Sequence, residues 1–182
     1  MSSNFKFVPI HIDISGYQEN IGDVIQVSDV HNRARYIYTE WIPEKYAPTP
    51  LIIYNLSNSF KEKILKQLPD QILKKEVPGI FFMKMPKPCP QSEFVPPHVD
   101  RGRRAAINIY IECGGETTSF YDVDLENKTL VCKEQFTAKP NDIILLNVTV
   151  PHSVKMAESS YRSAITLSFR TSKFDQLSNI LQ

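Results

Sequence analysis

The segment PPHVDRGRRAAINIYIE, residues 96–112, runs from a proline pair through a His-x-Asp triplet and a glycine turn into an alternating strand. The same period-two texture recurs over 79–85, 104–112, 117–123, 129–136, 143–150 and 161–170, each run closed by Gly, Pro, Asn or Asp. Short alternating strands separated by such turns signal a sandwich or barrel. Between the first two runs lies KPCPQSEFVPP (87–97), whose four prolines cannot donate to central ladder positions. It reads as a loop that delivers the chain to His98.

The first third mixes extended and helical signals. FKFVPIHIDI (5–14) alternates in part and reads as a strand, and DVIQV (23–27) as another. Ser59 with Glu62 three residues later has the spacing of a capping box for FKEKILKQL, Pro69 interrupts that helix, and DQILKKEV continues helical to about Val77. At the other end SKFDQLSNILQ sets Phe174, Leu177, Ile180 and Leu181 on one helical face, so a terminal helix is expected to pack on the β core. The expected organisation is a single, mainly β domain with flanking helices over 1–182: supporting strands and helices in 1–78, the β core in 79–170 and the terminal helix in 171–182.

Composition narrows the function classes. With 182 residues, 42% hydrophobic and 23% charged, the chain can bury a core without staples. Its 21 basic and 20 acidic side chains leave a formal charge of +1, which provides no overall field for nucleic acid or anionic lipid. Cys89, Cys113 and Cys132 are widely spaced and form no zinc knuckle, so reduced thiols are expected. No leader-like h-region and no run of 18 apolar residues occurs, and the expected location is cytoplasmic, away from membranes.

Two His-x-Asp triplets are present, His11-Ile12-Asp13 and His98-Val99-Asp100. The first lies within an alternating apolar stretch and reads as structural. The second leaves a proline-rich loop and precedes a tight turn at Arg101-Gly102, the setting in which functional residues concentrate. Residues i and i+2 at a strand end project to the same side, so the His98 imidazole and the Asp100 carboxylate can reach one cation. His152 follows the apolar run DIILLNVTV and Pro151, again at a strand end. Two imidazoles and one carboxylate on one face of an octahedral metal match the non-haem Fe(II) oxygenase arrangement.

Ten residues after His152, RSAITLSFR (162–170) separates into two faces. Ser163, Ile165, Leu167 and Phe169 form a core face, whereas Arg162, Ala164, Thr166, Ser168 and Arg170 form a small, polar one. A guanidinium facing inward requires an anion, and the dicarboxylate 2-oxoglutarate suits Arg162. With PPHVDRGRRAAINIYIE, GGETTSFY (114–121) and AKPNDIILLNVTVPHSVKMAESSYRSAITLSFR (138–170), the chain resembles the Fe(II)/2-oxoglutarate-dependent dioxygenase superfamily, most closely its prolyl-hydroxylase-like branch.

The resemblance covers about residues 79–170 and implies a double-stranded β-helix, or jelly roll. It implies His98, Asp100 and His152 as catalytic iron ligands and Arg162 as partner of the distal 2-oxoglutarate carboxylate. Tyr110 is expected to share that carboxylate, with Asn108 on the same strand face. Thr166, about 13 Å along the strand from Arg162, is expected to support the metal's surroundings. Ala164 departs from the serine that many members carry there, and Arg170 lies farther on than the second arginine of the nucleic-acid demethylases. The implied reaction consumes 2-oxoglutarate and oxygen, with ascorbate as a supporting reductant, and hydroxylates a protein or peptide side chain. A small metabolite or nucleobase is the alternative substrate, and a non-catalytic cupin-like domain binding metal or a small acid the alternative class. Arg101, Arg103 and Arg104 read as a solvated turn, and Phe94, Phe120 and Tyr121 as lining of the mouth or core.

Overall fold

A computed structural model of the chain describes residues 3–29, 34–36, 50–85, 94–155 and 161–182. The strands are β1 (Phe5–Phe7), β2 (Ile21–Asp29), β3 (Ala34–Tyr36), β4 (Pro50–Leu56), β5 (Gly79–Met85), β6 (Phe94–Asp100), β7 (Ala105–Glu112), β8 (Thr117–Asp124), β9 (Thr129–Thr137), β10 (Ile143–Leu146), β11 (His152–Lys155) and β12 (Arg162–Phe169). The helices are α1 (Asn58–Leu65), α2 (Asp70–Leu73) and α3 (Phe174–Ile180).

The strands form two antiparallel sheets, ordered β1-β10-β7-β12-β5-β4-β2 and β3-β6-β11-β8-β9. From β5 to β12 the chain crosses between the sheets at every connection except the β8–β9 hairpin. The quartet β10-β7-β12-β5 thus lies against β6-β11-β8-β9 in a double-stranded β-helix, the jelly roll implied by the resemblance. Four further strands, β1 at one edge and β4 and β2 at the other edge of the larger sheet and β3 on the smaller one, extend the pair sideways.

The middle strands of the larger sheet are buried on both faces, which explains why β7 and β12 carry so little surface polarity. Ile107 and Ile109 of β7 and Ile165, Leu167 and Phe169 of β12 point outward into a core closed by Ile64, Ile72, Phe174, Leu177 and Leu181 of the helical layer. The opposite face of β7, with Ala106 and Tyr110, packs with Phe120, Phe136 and Val148 between the sheets. The core face read from 162–170 is therefore the helix-covered face, and the polar face is the one enclosed between sheets.

Several local expectations shift. The strand expected over 5–14 ends at Phe7, because Pro9 cannot continue a ladder; Val8 still donates to the Ile143 carbonyl, and Val8 and Ile12 bury their side chains. The α1 cap is Ser57 rather than Ser59, its hydroxyl accepting from the Phe60 N–H at 3.2 Å. α2 stops at Leu73, short of Val77. The run 143–150 breaks after Leu146, where the Asn147 side chain accepts from the backbone and hydroxyl of Thr149 and bends the chain. Residues 94–97, expected in the proline loop, belong to β6; 87–93, with Cys89, and the side chain of Phe94 lie outside the described residues.

Glu76, between α2 and β5, fastens the turn that leads from β12 to α3. Its carboxylate accepts from the backbone N–H groups of Arg170, Thr171 and Ser172 and from the Thr171 hydroxyl. Burial pushes its pKa up, but these donors outweigh burial and hold it down at about 2 against an ordinary 4.5. A depressed folded pKa contributes stability that is complete above the unfolded value and disappears as pH falls through the folded one. Glu76→Ala should therefore cost about 1–2 kcal/mol near neutrality, discounted for partial exposure. Urea unfolding at neutral pH and again below pH 4 should find that cost shrinking in acid; an undiminished cost would remove the clamp.

Candidate metal centre

β6 ends on His98-Val99-Asp100, and β11 begins on His152 directly opposite His98 in the ladder. Their ring centroids lie 4.3 Å apart. The Asp100 N–H donates to the Val148 carbonyl at 3.0 Å, which ties the end of β6 to the turn before β11. His98, Asp100 and His152 thereby bring one donor atom each within 4.8 Å of one another. Imidazole and carboxylate donors hold a cation at about 2.0–2.2 Å, which sets them roughly 3–4 Å apart, so side-chain rotation alone completes the approach. Two nitrogens and one carboxylate oxygen fit a divalent transition metal.

The electrostatics suit the same use. The His152 Nδ1 lies 3.0 Å from the Val150 carbonyl, which can only accept; Nδ1 therefore carries the hydrogen and Nε2 keeps its lone pair. Burial, followed by the neighbouring His98, pushes the His152 pKa down to about 3, so the ring is neutral near pH 7. Burial raises the Asp100 pKa, but the Arg103 guanidinium and the two imidazoles outweigh it and hold the carboxyl below its ordinary range. Arg103 does this at short range, its Nε donating to Asp100 Oδ2 at 2.6 Å, while Oδ1 lies 3.8 Å from His98 Nε2. One carboxylate oxygen is thus fixed by Arg103 and the other faces the imidazoles. Of the three arginines read as a solvated turn, Arg101 and Arg104 are exposed, and Arg103 is not part of that turn in function.

A cavity of about 870 Å³ opens from this cluster, lined by His98, Asp100, His152, Asn108 and Arg162 on its polar side. Tyr110 is fully buried and does not itself line the cavity, but it holds Arg162, which does: Arg162 Nη2 donates to the Tyr110 hydroxyl at 2.7 Å, and the guanidinium carbon sits 4.9 Å from the ring centroid. Asn108 shares the strand face and Thr166 pairs with it, the Thr166 hydroxyl donating to Asn108 Oδ1 at 2.9 Å. Thr166 acts on the cavity only through Asn108. Ala164 is buried at its expected place, and Arg170 is exposed at the mouth. Phe120 packs beside the His152 ring as core, and the Tyr121 hydroxyl pairs with Ser153. His11 is exposed and lies outside any strand, remote from this cluster in role. Cys113 and Cys132 are free thiols.

Two residues at the site were not anticipated. Arg103 is one, hidden within a run of like charge. The other is Glu116, nearly fully buried, with Oε2 accepting from the Gly114 N–H at 2.8 Å and Oε1 3.9 Å from Arg162 Nε. Spacing gives no cue to Glu116, because its partner lies 46 residues on and meets it only through the fold.

No family model and no curated protein matches the chain. Solved structures similar to it include an oxidoreductase of the 2OG-Fe(II) oxygenase family from Burkholderia pseudomallei, 13% identical over 70% of this chain and 71% of that one, TM-score 0.43. The Escherichia coli ribosomal oxygenase YcfD is 16% identical over 75% of this chain, TM-score 0.41, and the chain spans only 35% of its length. A Pseudomonas putida prolyl-4-hydroxylase is 15% identical over 78% of this chain and 80% of that one, TM-score 0.38.

Breaking the Asp100–Arg103 pair leaves a carboxylate in a desolvated setting. Arg103→Ala should cost about 2–3 kcal/mol in the metal-free protein, and adding Asp100→Asn should recover part of that loss. A double-mutant cycle by chemical denaturation measures the coupling; strictly additive costs would mean that the pair is not energetically joined.

Proposed function

We propose that this protein is an Fe(II)- and 2-oxoglutarate-dependent oxygenase that hydroxylates an amino-acid side chain of a protein or peptide. The observation that carries this reading is the convergence of His98, Asp100 and His152 at one part of a cavity that Arg162 also enters. His98, Asp100 and His152 would hold the iron, and Arg162 with Tyr110 would receive the distal carboxylate of 2-oxoglutarate.

Fe(II) bound with 2-oxoglutarate and oxygen supplies the power to hydroxylate an unactivated C–H bond with release of succinate and carbon dioxide. The chain's own groups do the rest. His152 presents a neutral imidazole because burial keeps it deprotonated, and Arg103 fixes the Asp100 carboxylate in its anionic form. Tyr110 holds the Arg162 guanidinium through the hydroxyl and the ring face. Met83, Met85, Val95 and Val154 form an apolar wall of the cavity that excludes water and suits a hydrocarbon group.

A protein or peptide substrate is supported by the prolyl-hydroxylase-like sequence pattern and by an open mouth where Ile25 and Val77 are exposed beside Arg101 and Arg170. One observation favours a second reading, a domain that binds metal or a small acid without turnover: Arg162 already has an internal counter-charge in Glu116.

Aerobic incubation with 2-oxoglutarate, Fe(II) and ascorbate should release succinate, and His98→Ala or Asp100→Ala should reduce release to background with unchanged far-UV circular dichroism. Mass spectrometry of a peptide pool should find products one oxygen atom heavier. Iron binding without succinate, across that pool, would favour the non-catalytic reading.

A further inference from the structure

Arg162 lines the cavity and Glu116, which does not, lies against it; among the described residues an acceptor of Glu116 and a donor of Arg162 are left without a hydrogen-bond partner. Glu116 Oε1 and Arg162 Nε are buried and unpartnered, and they lie 3.9 Å apart, too far for a hydrogen bond to each other. The residues themselves are only 1% and 4% exposed. Buried polar atoms are rarely left in this condition, so the pair is coupled by charge but incompletely satisfied.

The two needs are complementary. Glu116 Oε1 needs a donor, and Arg162 Nε needs an acceptor. A group offering both, such as an amide or hydroxyl, satisfies the pair, whereas a carboxylate satisfies Arg162 alone and sets a second negative charge near Glu116. The Glu116 charge is felt locally: the Cys113 thiol is pushed up to about 12, first by burial and next by Glu116.

We propose that Glu116 is a selectivity-determining residue, which partly neutralises Arg162 and thereby weakens binding of a distal carboxylate relative to a neutral, hydrogen-bonding end. This rests on the reading that Arg162 receives the distal end of the 2-oxo acid. The consequence is a cavity that binds 2-oxoglutarate less tightly than its arginine would otherwise allow and accepts the corresponding 5-amide, 2-oxoglutaramate, comparably. Two carboxylates flanking one guanidinium stand roughly 6–12 Å apart, and removing one of those charges relieves an interaction worth roughly ten- to hundredfold in affinity at an effective interior dielectric of about 20.

The test is calorimetric binding of 2-oxoglutarate and of 2-oxoglutaramate to the Mn(II)-loaded full chain, a readout independent of turnover. The wild type should bind the two acids within about tenfold of each other, a comparison that needs no variant. Glu116→Gln should tighten 2-oxoglutarate roughly ten- to hundredfold and leave the amide nearly unchanged; Glu116→Met serves if Glu116→Gln fails to fold. A wild type that already prefers the dicarboxylate by more than about a hundredfold overturns the proposal, as does a Glu116 variant whose dicarboxylate binding is unchanged or weaker. Arg162→Ala separates the two readings. If it abolishes binding while Glu116→Gln gains nothing, only the selectivity role fails; if it leaves 2-oxoglutarate binding intact, the Arg162 reading and the proposal fall together.

Discussion

The site depends on one strand pairing, β6 against β11, in which His152 lies opposite His98. A slip of one residue would turn either imidazole to the other face of its sheet and disperse the cluster. The register is pinned by a local irregularity. His152 pairs with His98 and Val154 with Val95, so β6 carries one more residue than β11 across this interval. The extra length falls at Pro96-Pro97, residues that could not donate to a regular ladder. The proline pair thus confines the bulge to the position beside the histidines. The backbone bond from Asp100 to Val148 then fixes the third donor from the other side.

Two ion pairs border the cavity, one half-buried and one buried, and they differ in completeness. Arg103 and Asp100 meet at 2.6 Å and are hydrogen-bonded, so that carboxylate is held in place before any ligand arrives. Arg162 and Glu116 stand 3.9 Å apart with unfilled valences on both sides. Taking charges out of water is repaid only by good geometry and full satisfaction. The first pair meets that condition within the chain. The second pair is incomplete, so the Arg162 end is less firmly held than the Asp100 end.

How much of this was legible follows from how far each signal reaches. β5, β7, β8, β9 and β12 were readable because alternation is local, and the inward face of β12 and the shared face of Asn108 and Tyr110 follow from that alternation alone. β4 and β11 escaped, the first as an uninterrupted apolar run among helical signals, the second because it is four residues long and follows a proline. Capping-box spacing favours Ser59, which has a glutamate three residues on, whereas Ser57 has Phe60 there and is selected by tertiary contacts such as its hydroxyl's bond to the Asn20 side chain. His98, Asp100 and His152 could be grouped by order and spacing. Arg103 was masked by flanking arginines that do sit in solvent, and Glu116 finds Arg162 only after two sheets have closed.

The first 78 residues, which carry no recognisable motif, shape the cavity all the same. In the larger sheet Arg162 lies beside Met85 and Ala164 beside Met83, and Met83 in turn lies beside Ile53 of β4. The inward surface therefore passes from guanidinium to thioether to branched aliphatic within three strands, with Leu51 and Ile25 continuing it toward the edge. An eight-stranded core alone would end at β5 and leave Met83 and Met85 as a rim. With β4 and β2 added they become the middle of a wall, and flexible thioethers there can conform to varied hydrocarbon shapes. The His98, Asp100 and His152 cluster and Arg162 belong to the core strands, as do Met83, Met85, Val95 and Val154, whereas Ile25, Leu51 and Ile53 of the N-terminal extension continue the apolar lining outward. The register that brings the cluster together is thus encoded in the core strands, and the outer part of the apolar wall in the N-terminal extension.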